Sequence, residues 1–411
     1  MRRTEVRRSR TPSLVGIAAV MGLAELGFAT VIPLLPLYLK VRLGASTTLV
    51  GVVLATFAAV ETVLKTTWGS LADRIGKRPV VVCGLLLGSV APAVMTLLRA
   101  PVLFVPLRFV DGSGSAAVWP AVAAAVADRT DPDRRAAGMG VLNSFFLSGL
   151  ALGPSLGLFV SGVFGSYHAG FYLASGLLLS AAAVASFTLR DGSTSAHAAP
   201  SPRAGEEAGW IFPRLRRSPR LAAMLAVGFV QMFGAGLLAP ILVIYAHEIM
   251  RLSDQAIGAL FLVVVLAVAG ASVPGGRLAD RIGRPRTVTA GMSMASIGMW
   301  ILPLAGTGSL PILVIAGSLL GGSYALSSPA WLALMAEAAP AGGTGMAMGA
   351  SETAQGAGLI LGPLLGGFLY DQIGPQAPFL GSALLLTAGT VLAIRAVSQW
   401  DPQKATGGSR G

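Results

Sequence analysis

The residues of this sequence that could do chemistry are six ionisable side chains, each set inside a long apolar stretch. They are Glu25, Glu61, Lys65, Arg108, Asp111 and Glu352. A carboxyl group among apolar residues can bind and release a proton, or attract a cation, as its surroundings change. Because an ionisable residue at the centre of a bilayer costs about 2.5–3.5 kcal/mol on insertion scales, we expect these residues to have a role.

Four of the six are spaced for contact in pairs. Glu61 and Lys65 are four residues apart, and Arg108 and Asp111 are three apart, so each pair shares one helical face. We interpret the first pair as structural, because its charges can neutralise each other. Two interpretations of the second pair stay open. It is either an ion pair that only fixes its helix, or an arginine that holds a carboxylate charged and weakens its grip when the helix moves.

The elements that must position these groups follow from composition. Hydrophobic residues make up 54% of the 411 positions and charged residues only 12%, whereas globular chains carry about 25% charged residues. A helix that spans a bilayer needs roughly 20 apolar residues. Such segments predict an all-α membrane protein with twelve spans, at 13–38, 46–67, 80–98, 102–127, 137–163, 168–189, 221–246, 256–274, 287–305, 309–336, 344–369 and 376–397.

The net charge of +12 is explained by orientation. In the loops and termini and at the ends of the predicted spans, 24 lysines and arginines fall on one side of the membrane and four on the other, namely Lys40, Arg42, Arg99 and Arg251. Since basic loops stay in the cytoplasm, we expect both termini there. The basicity therefore gives no indication of nucleic-acid binding. One cysteine and three histidines form no metal-ligand pattern, and we expect neither a metal nor a cofactor.

The chain repeats itself. GSLADRIGKRP at 69–79 recurs as GRLADRIGRPR at 276–286, and residues 190–220 are rich in Ser, Ala, Pro and charges, as linkers are. We therefore predict an N-terminal six-helix half at 1–189, a cytoplasmic linker at 190–220 and a C-terminal six-helix half at 221–411.

These motifs resemble those of the major facilitator superfamily, and more narrowly its twelve-helix drug/proton antiporter branch. The repeated loop resembles the first signature motif of the family, in which the equivalent of Asp73 holds the halves together on the cytoplasmic side. The resemblance therefore implies gating loops that contain Gly69, Asp73, Arg74, Gly76, Arg78, Gly276, Asp280, Arg281 and Gly283.

Two glycine patterns extend the resemblance to the antiporter motif, which in the family is associated with exporters. The first, on span 5, has Leu158 where a second glycine normally follows, and the second, on span 11, is complete. Glycines four residues apart form a stripe that lets a neighbouring backbone approach closely. The two patterns contain Gly149, Gly153, Pro154 and Gly157, then Gly358, Gly362, Pro363 and Gly366.

Glu25 belongs to ELGFATVIPLLP, which resembles the span 1 motif of the antiporter branch. We expect Glu25, Asp111, Arg108 and Glu352 to couple protons, although a neutral Glu25 that is merely hydrogen-bonded in the bundle is the alternative for that residue. No family motif supports Glu352. The candidates to line an amphipathic substrate cavity are Glu25, Trp119, Phe145, Gln231 and Tyr324, and packing between helices is the alternative for the aromatic residues.

The predicted function is that of a proton-coupled antiporter, which exports small, amphipathic or drug-like molecules across the cytoplasmic membrane by alternating access. We expect a monomer in the lipid bilayer whose partners are its substrate and protons. An importer of a nutrient or metabolite on the same fold is the alternative, and a transport-silent sensor or scaffold is a third class. An enzyme is not expected, since the sequence shows no nucleotide-binding loop and no catalytic arrangement.

Overall fold

The computed structural model describes residues 14–131, 134–189, 219–304, 310–338 and 344–398. Thirteen α-helices and no strands are found in these ranges. The helices are α1 (Leu14–Leu37), α2 (Thr47–Ile75), α3 (Lys77–Met95), α4 (Phe104–Asp128), α5 (Arg135–Phe164), α6 (Tyr167–Thr188), α7 (Pro219–Leu238), α8 (Ile241–Glu248), α9 (Asp254–Ile282), α10 (Arg284–Ile301), α11 (Leu310–Ala338), α12 (Thr344–Gln372) and α13 (Ala377–Ser398).

The helices confirm the predicted all-α class. Among the described residues, nine helical segments are long and apolar enough to cross a membrane, and α9, α11 and α12 cover the other three predicted spans. The predicted span 221–246 is interrupted, since α7 ends at Leu238 and α8 begins directly after Pro240. Proline lacks the N–H that would continue the ladder of hydrogen bonds. The predicted linker at 190–220 lies outside the described residues, apart from the first two residues of α7.

The hydrophobic core shows how the helices are grouped. We call the end of the bundle that holds Leu14 and Ser398 the terminal face, and the opposite end the distal face. At the distal face one buried cluster joins α1–α6 to α7–α13, with Leu34 and Leu158 in the same cluster as Ile241. Toward the terminal face there are two separate clusters, one within α1–α6 and one within α7–α13. The two groups of helices therefore pack together at the distal face and part toward the terminal face.

Close approaches between the groups occur where glycine removes a side chain. A Cβ on Gly51 of α2 would lie 2.1 Å from the carbonyl oxygen of Pro363 on α12, and one on Gly258 of α9 would lie 3.2 Å from the carbonyl oxygen of Ser155 on α5. These contacts lie in the distal part of the bundle. They define α2 with α12, and α5 with α9, as the helix pairs that join the two groups.

Candidate transport site

Glu25 is held in place by the glycine stripe of α5. A Cβ on Gly149 would lie 2.5 Å from the carbonyl oxygen of Gly22 and 2.9 Å from Cβ of Glu25, and Gly153 and Gly157 meet the next turns of α1 just as closely. Atoms at such distances overlap, so only glycine permits this spacing of the two helices. The half-buried Glu25 is thus carried by a backbone that α5 fixes from one side.

The second half contains an equivalent stripe on α12. Added Cβ atoms on Gly358, Gly362 and Gly366 would all lie within 2.6 Å of the backbone of α7, the closest being 2.0 Å from the carbonyl oxygen of Leu237. Pro154 and Pro363 lie inside continuous helices in the two stripes. Each antiporter-like motif therefore packs one helix against the first helix of its own group, α5 against α1 and α12 against α7.

Arg108 and Asp111 form the predicted ion pair on α4. Their exposed fractions are only 6% and 1%. The guanidinium also lies 4.0 Å from the ring centroid of Phe57 on α2, a cation–π contact. Gly112 brings α4 close enough for this, since a Cβ there would lie 2.9 Å from the carbonyl oxygen of Phe57.

One oxygen of this pair is free for chemistry. Oδ2 of Asp111 accepts from Arg108, whereas Oδ1 is buried and accepts no hydrogen bond from any described residue. A buried acceptor without a donor is costly, and a proton bound there would remove its charge. Oδ1 of Asp111 is therefore a candidate atom for binding a proton, with Arg108 as the counter-ion of the carboxylate.

Glu61 of α2 lies between Glu25 and the Arg108–Asp111 pair in electrostatic terms. Its carboxylate lies 3.2 Å from Nζ of Lys65, which confirms the predicted pair, and the two side chains are 27% and 41% exposed. Glu61 also interacts electrostatically with Glu25 and with the Arg108–Asp111 pair. The five ionisable residues inside the predicted spans of the first half thus belong to one cluster between α1, α2 and α4, which the sequence alone did not indicate.

Glu352 stands apart from this cluster. It is exposed on α12, and no contact among the described residues joins it to Glu25 or to the Arg108–Asp111 pair. The neighbouring Gln355 donates a hydrogen bond to Ser351 on the same helix. The structure thus does not assemble the predicted proton-coupling residues into a single group.

The aromatic candidates are divided between the two groups of helices. Trp119 of α4 makes an edge contact with Phe146 at 5.0 Å between ring centroids, and Phe145 lies next to Gly22 of α1, close to Glu25. Gln231 is half-buried on α7, and Tyr324 is 46% exposed on α11. Among these candidates, Phe145 has a contact with α1 within one turn of Glu25.

The gating motifs differ from the predicted loops, because most of each motif is helical. α2 continues through Gly69, Asp73 and Arg74 to Ile75, and the connection to α3 is the single residue Gly76, with φ of +100°. Leu, Ala and Arg favour helix, which explains the extension beyond the apolar span. Only glycine readily adopts the conformation of Gly76.

The second motif follows the same plan. α9 continues through Gly276, Asp280 and Arg281, and Gly283, with φ of +88°, connects it to α10. The surroundings of Gly276 and the side chain of Asp280 lie outside the described residues, whereas Arg281 is exposed.

One charge of the first motif is paired within its own group of helices. Lys77 forms an ion pair with Asp128 at the end of α4. The sequence did not predict this contact, because the two residues lie on different helices. Asp73, Arg74 and Arg78 are exposed at the terminal face. Asp73 makes no hydrogen bond or ion pair with a described residue.

Polar contacts also close the distal face, and sequence reasoning missed them because no motif marks them. The Asp371 carboxylate of α12 accepts hydrogen bonds from Thr47 and Thr48 of α2. The Tyr167 hydroxyl of α6 donates to Asp254 of α9 at 3.4 Å. Both contacts join α1–α6 to α7–α13.

Comparison with known protein families shows to which family this architecture belongs. The sequence pattern of the Major Facilitator Superfamily matches residues 17–231 and 224–411, which is nearly the whole chain. The chain belongs to the major facilitator superfamily. The resemblance inferred from the motifs is thereby confirmed, and the protein is a multi-pass membrane transporter of small molecules.

Relatives of this superfamily transporter include drug-resistance proteins. The chain is 26% identical over 375 residues to Multidrug resistance protein 2 of Bacillus subtilis, which covers 90% of this chain and 92% of the relative. It is 32% identical over 152 residues to the quinolone resistance protein NorA of Staphylococcus aureus, covering 37% of this chain and 38% of that one. These matches confirm the similarity to the drug/proton antiporter branch, and they confirm that the protein is a transporter and not an enzyme.

Solved transporters share the fold at low sequence identity. A mutant of the nucleoside transporter NupG superposes with a TM-score of 0.79 at 12% identity, over 95% of this chain and 100% of that one. A bacterial homolog of human Spinster, in an inward-facing and unoccupied conformation, gives 0.74 at 14% identity, over 95% of this chain and 98% of that one. At such identities the similarity supports the superfamily fold alone.

Proposed function

We propose that this transporter is a proton-coupled antiporter that exports small amphipathic molecules across the cytoplasmic membrane. The observation that carries the proposal is the cluster of Glu25, Glu61 and the buried Arg108–Asp111 pair, on helices that part toward the terminal face. Glu25 and Glu61 of this cluster are partly exposed and can exchange protons with the solution on that side. The full-length similarity to a multidrug resistance protein supports export of drug-like molecules.

The transport cycle that we propose is rocking of two six-helix halves, 1–189 and 221–411, about a central cavity. In this scheme the terminal face is cytoplasmic, as the 24 basic residues on that side favour. The structure then corresponds to the state in which the cavity faces the cytoplasm. Substrate would bind near Glu25 and Phe145, with Trp119, Gln231 and Tyr324 as further candidates.

Coupling requires that a proton and the substrate favour different states. We propose that Asp111 holds the proton at its free oxygen Oδ1, and that Arg108 stabilises the charged carboxylate once the proton leaves. Glu25 lies in the same electrostatic cluster as Asp111. A cationic substrate near Glu25 would therefore disfavour binding of a proton within the cluster. The gating motifs around Asp73 and Asp280 would join the halves at the terminal face in the opposite state.

The experiment uses inside-out membrane vesicles and a fluorescent amphipathic cation. We expect uptake when the vesicle interior is acidified, and loss of uptake on addition of a protonophore. Glu25→Gln and Asp111→Asn should each reduce proton-driven uptake, whereas Asp131→Asn at the terminal face should not. Gradient-driven uptake into right-side-out vesicles would contradict export, and unchanged proton dependence in a variant would remove that carboxylate from the coupling role.

A further inference from the structure

One carboxylate joins the two groups of helices at the distal face. Asp371, at the end of α12, accepts a hydrogen bond from the backbone N–H of Thr48 at 2.7 Å and from that of Thr47 at 3.2 Å. The hydroxyl of Thr48 donates a third bond at 2.7 Å. Three hydrogen bonds from two consecutive residues of α2 therefore end on a single side chain of the other group.

These bonds complete the N-terminus of α2. The first N–H groups of a helix have no partner within the helix and need acceptors from outside it. Ser46, the N-cap residue, accepts from the N–H of Leu49 at 3.2 Å, which satisfies one of them. Asp371 satisfies the N–H groups of Thr47 and Thr48. The helix is thus capped partly by its own residue and partly by a carboxylate from across the bundle, whose charge also suits the positive end of the helix dipole.

Glycines bring the two helices close enough for this cap. A Cβ on Gly367 would lie 2.4 Å from the carbonyl oxygen of Thr47, so α12 touches the backbone of the first turn of α2. Asp371 is four residues beyond Gly367, on the same helical face and one turn further along. When the distal ends of α2 and α12 separate, all three hydrogen bonds to Asp371 must break.

We propose that Asp371 is a latch for the distal face, which caps α2 in the present state and releases α2 when that face opens. This inference rests on the alternating access proposed above. Asp371 is exposed, so water can replace the lost hydrogen bonds, as a reversible contact requires. Asp73, near the other end of α2, is exposed and makes no hydrogen bond or ion pair with a described residue. In the present state the carboxylate at the distal end of α2 is therefore bonded and the one at the terminal end is not. This difference is expected if each end has a carboxylate latch and the two latches are engaged in opposite states.

The test measures the distance between spin labels at the distal face of the purified full-length protein. Leu97 follows α3 and Leu304 follows α10, in different groups of helices, and their side chains are 74% and 71% exposed. Both are replaced by cysteine in a Cys83→Ser background, because Cys83 is the only native cysteine. Neither position contacts Asp371 in any hydrogen bond, so the labels report opening without altering the latch.

The variant that removes the latch is Asp371→Ala. We expect the ratio of distal-open to distal-closed molecules to rise about fivefold, the factor that corresponds to a typical capping contribution of about 1 kcal/mol. Thr48→Val, which removes only the hydroxyl donor, should give a smaller rise, and adding it to Asp371→Ala should give little more. Gln372→Ala, at the adjacent exposed position, is the matched control and should leave the distances unchanged.

Identical distance distributions for Asp371→Ala and Gln372→Ala would overturn the latch. If Asp371→Ala does not yield folded protein, Thr48→Val decides the question by the same measurement, and unchanged distances in that variant count against the latch. The labels need neither substrate nor a proton gradient. A protein that shows the shift but no gradient-driven transport would refute the proposed function and leave the latch, and the reverse result would refute the latch alone.

Discussion

Replacing Gly149 with alanine perturbs the contact that holds Glu25 in place. The added Cβ would lie 2.5 Å from the carbonyl oxygen of Gly22, whereas a carbon and an oxygen in contact are about 3.3 Å apart or more. The helices α1 and α5 must therefore separate by about 0.8 Å, and Glu25 must move with α1. Overpacking of this kind costs about 1–3 kcal/mol.

Two assays measure the effect of Gly149→Ala. We expect a lower melting temperature for purified Gly149→Ala, and a roughly tenfold lower initial rate of proton-driven uptake into inside-out vesicles, the factor for about 1.4 kcal/mol. The matched control is Gly140→Ala on the same helix, where an added Cβ meets nothing within 4 Å. Alanine favours helix over glycine by about 0.5–1 kcal/mol, so this control should be neutral or stabilised.

The second stripe repeats the test in the other group of helices. A Cβ on Gly366 would lie 2.0 Å from the carbonyl oxygen of Leu237, whereas one on Gly349 meets nothing within 4 Å. Gly366→Ala should therefore lower the melting temperature, and Gly349→Ala should not. If Gly149→Ala and Gly366→Ala behave like their controls, the close packing of α5 on α1 and of α12 on α7 is refuted.

Three further predictions concern other parts of the molecule. Arg108→Met should cost about 3–5 kcal/mol, because Asp111 is left buried without its counter-ion, and Arg108→Met/Asp111→Leu should recover the yield of monodisperse protein in size-exclusion chromatography. Gly76→Ala should cost about 1–3 kcal/mol in a thermal melt, because alanine strongly disfavours a φ of +100°. Partial burial acts to raise the pKa of Asp371, but hydrogen bonds from α2 outweigh it and keep the pKa below its ordinary value. The latch should therefore stay engaged from about pH 8 to pH 5, and label distances should change only as pH falls below about 4.

Much of the fold could be predicted from sequence, because a membrane leaves few choices. Apolar segments of about 20 residues must become helices in a bilayer, and each predicted span coincides with a described helix except 221–246, which is divided between α7 and α8. Contacts between residues three or four apart, such as Arg108 with Asp111, follow from helical geometry alone. The family was also accessible, since the repeated motif at 69–79 and 276–286 carries it.

The contacts between distant helices could not be predicted. Asp371 meets Thr48 across 323 positions, and no periodicity links an acidic residue at the end of one helix to the start of another. The cation–π contact of Arg108 with Phe57 depends on how α4 lies against α2, which is decided by packing at Gly112. Hydropathy likewise placed the end of span 2 at residue 67, because the last two turns of α2 are too polar to count as a span, although they are helical.

The measurement that tests the central claim most directly is the movement of protons caused by substrate. Proteoliposomes containing the protein and an enclosed pH dye are prepared without a pH gradient, and an amphipathic cationic substrate is added outside. A proton-coupled antiporter predicts that the lumen becomes alkaline as substrate enters, and that Glu25→Gln or Asp111→Asn reduces this change. Entry of substrate with no change in luminal pH would contradict the account.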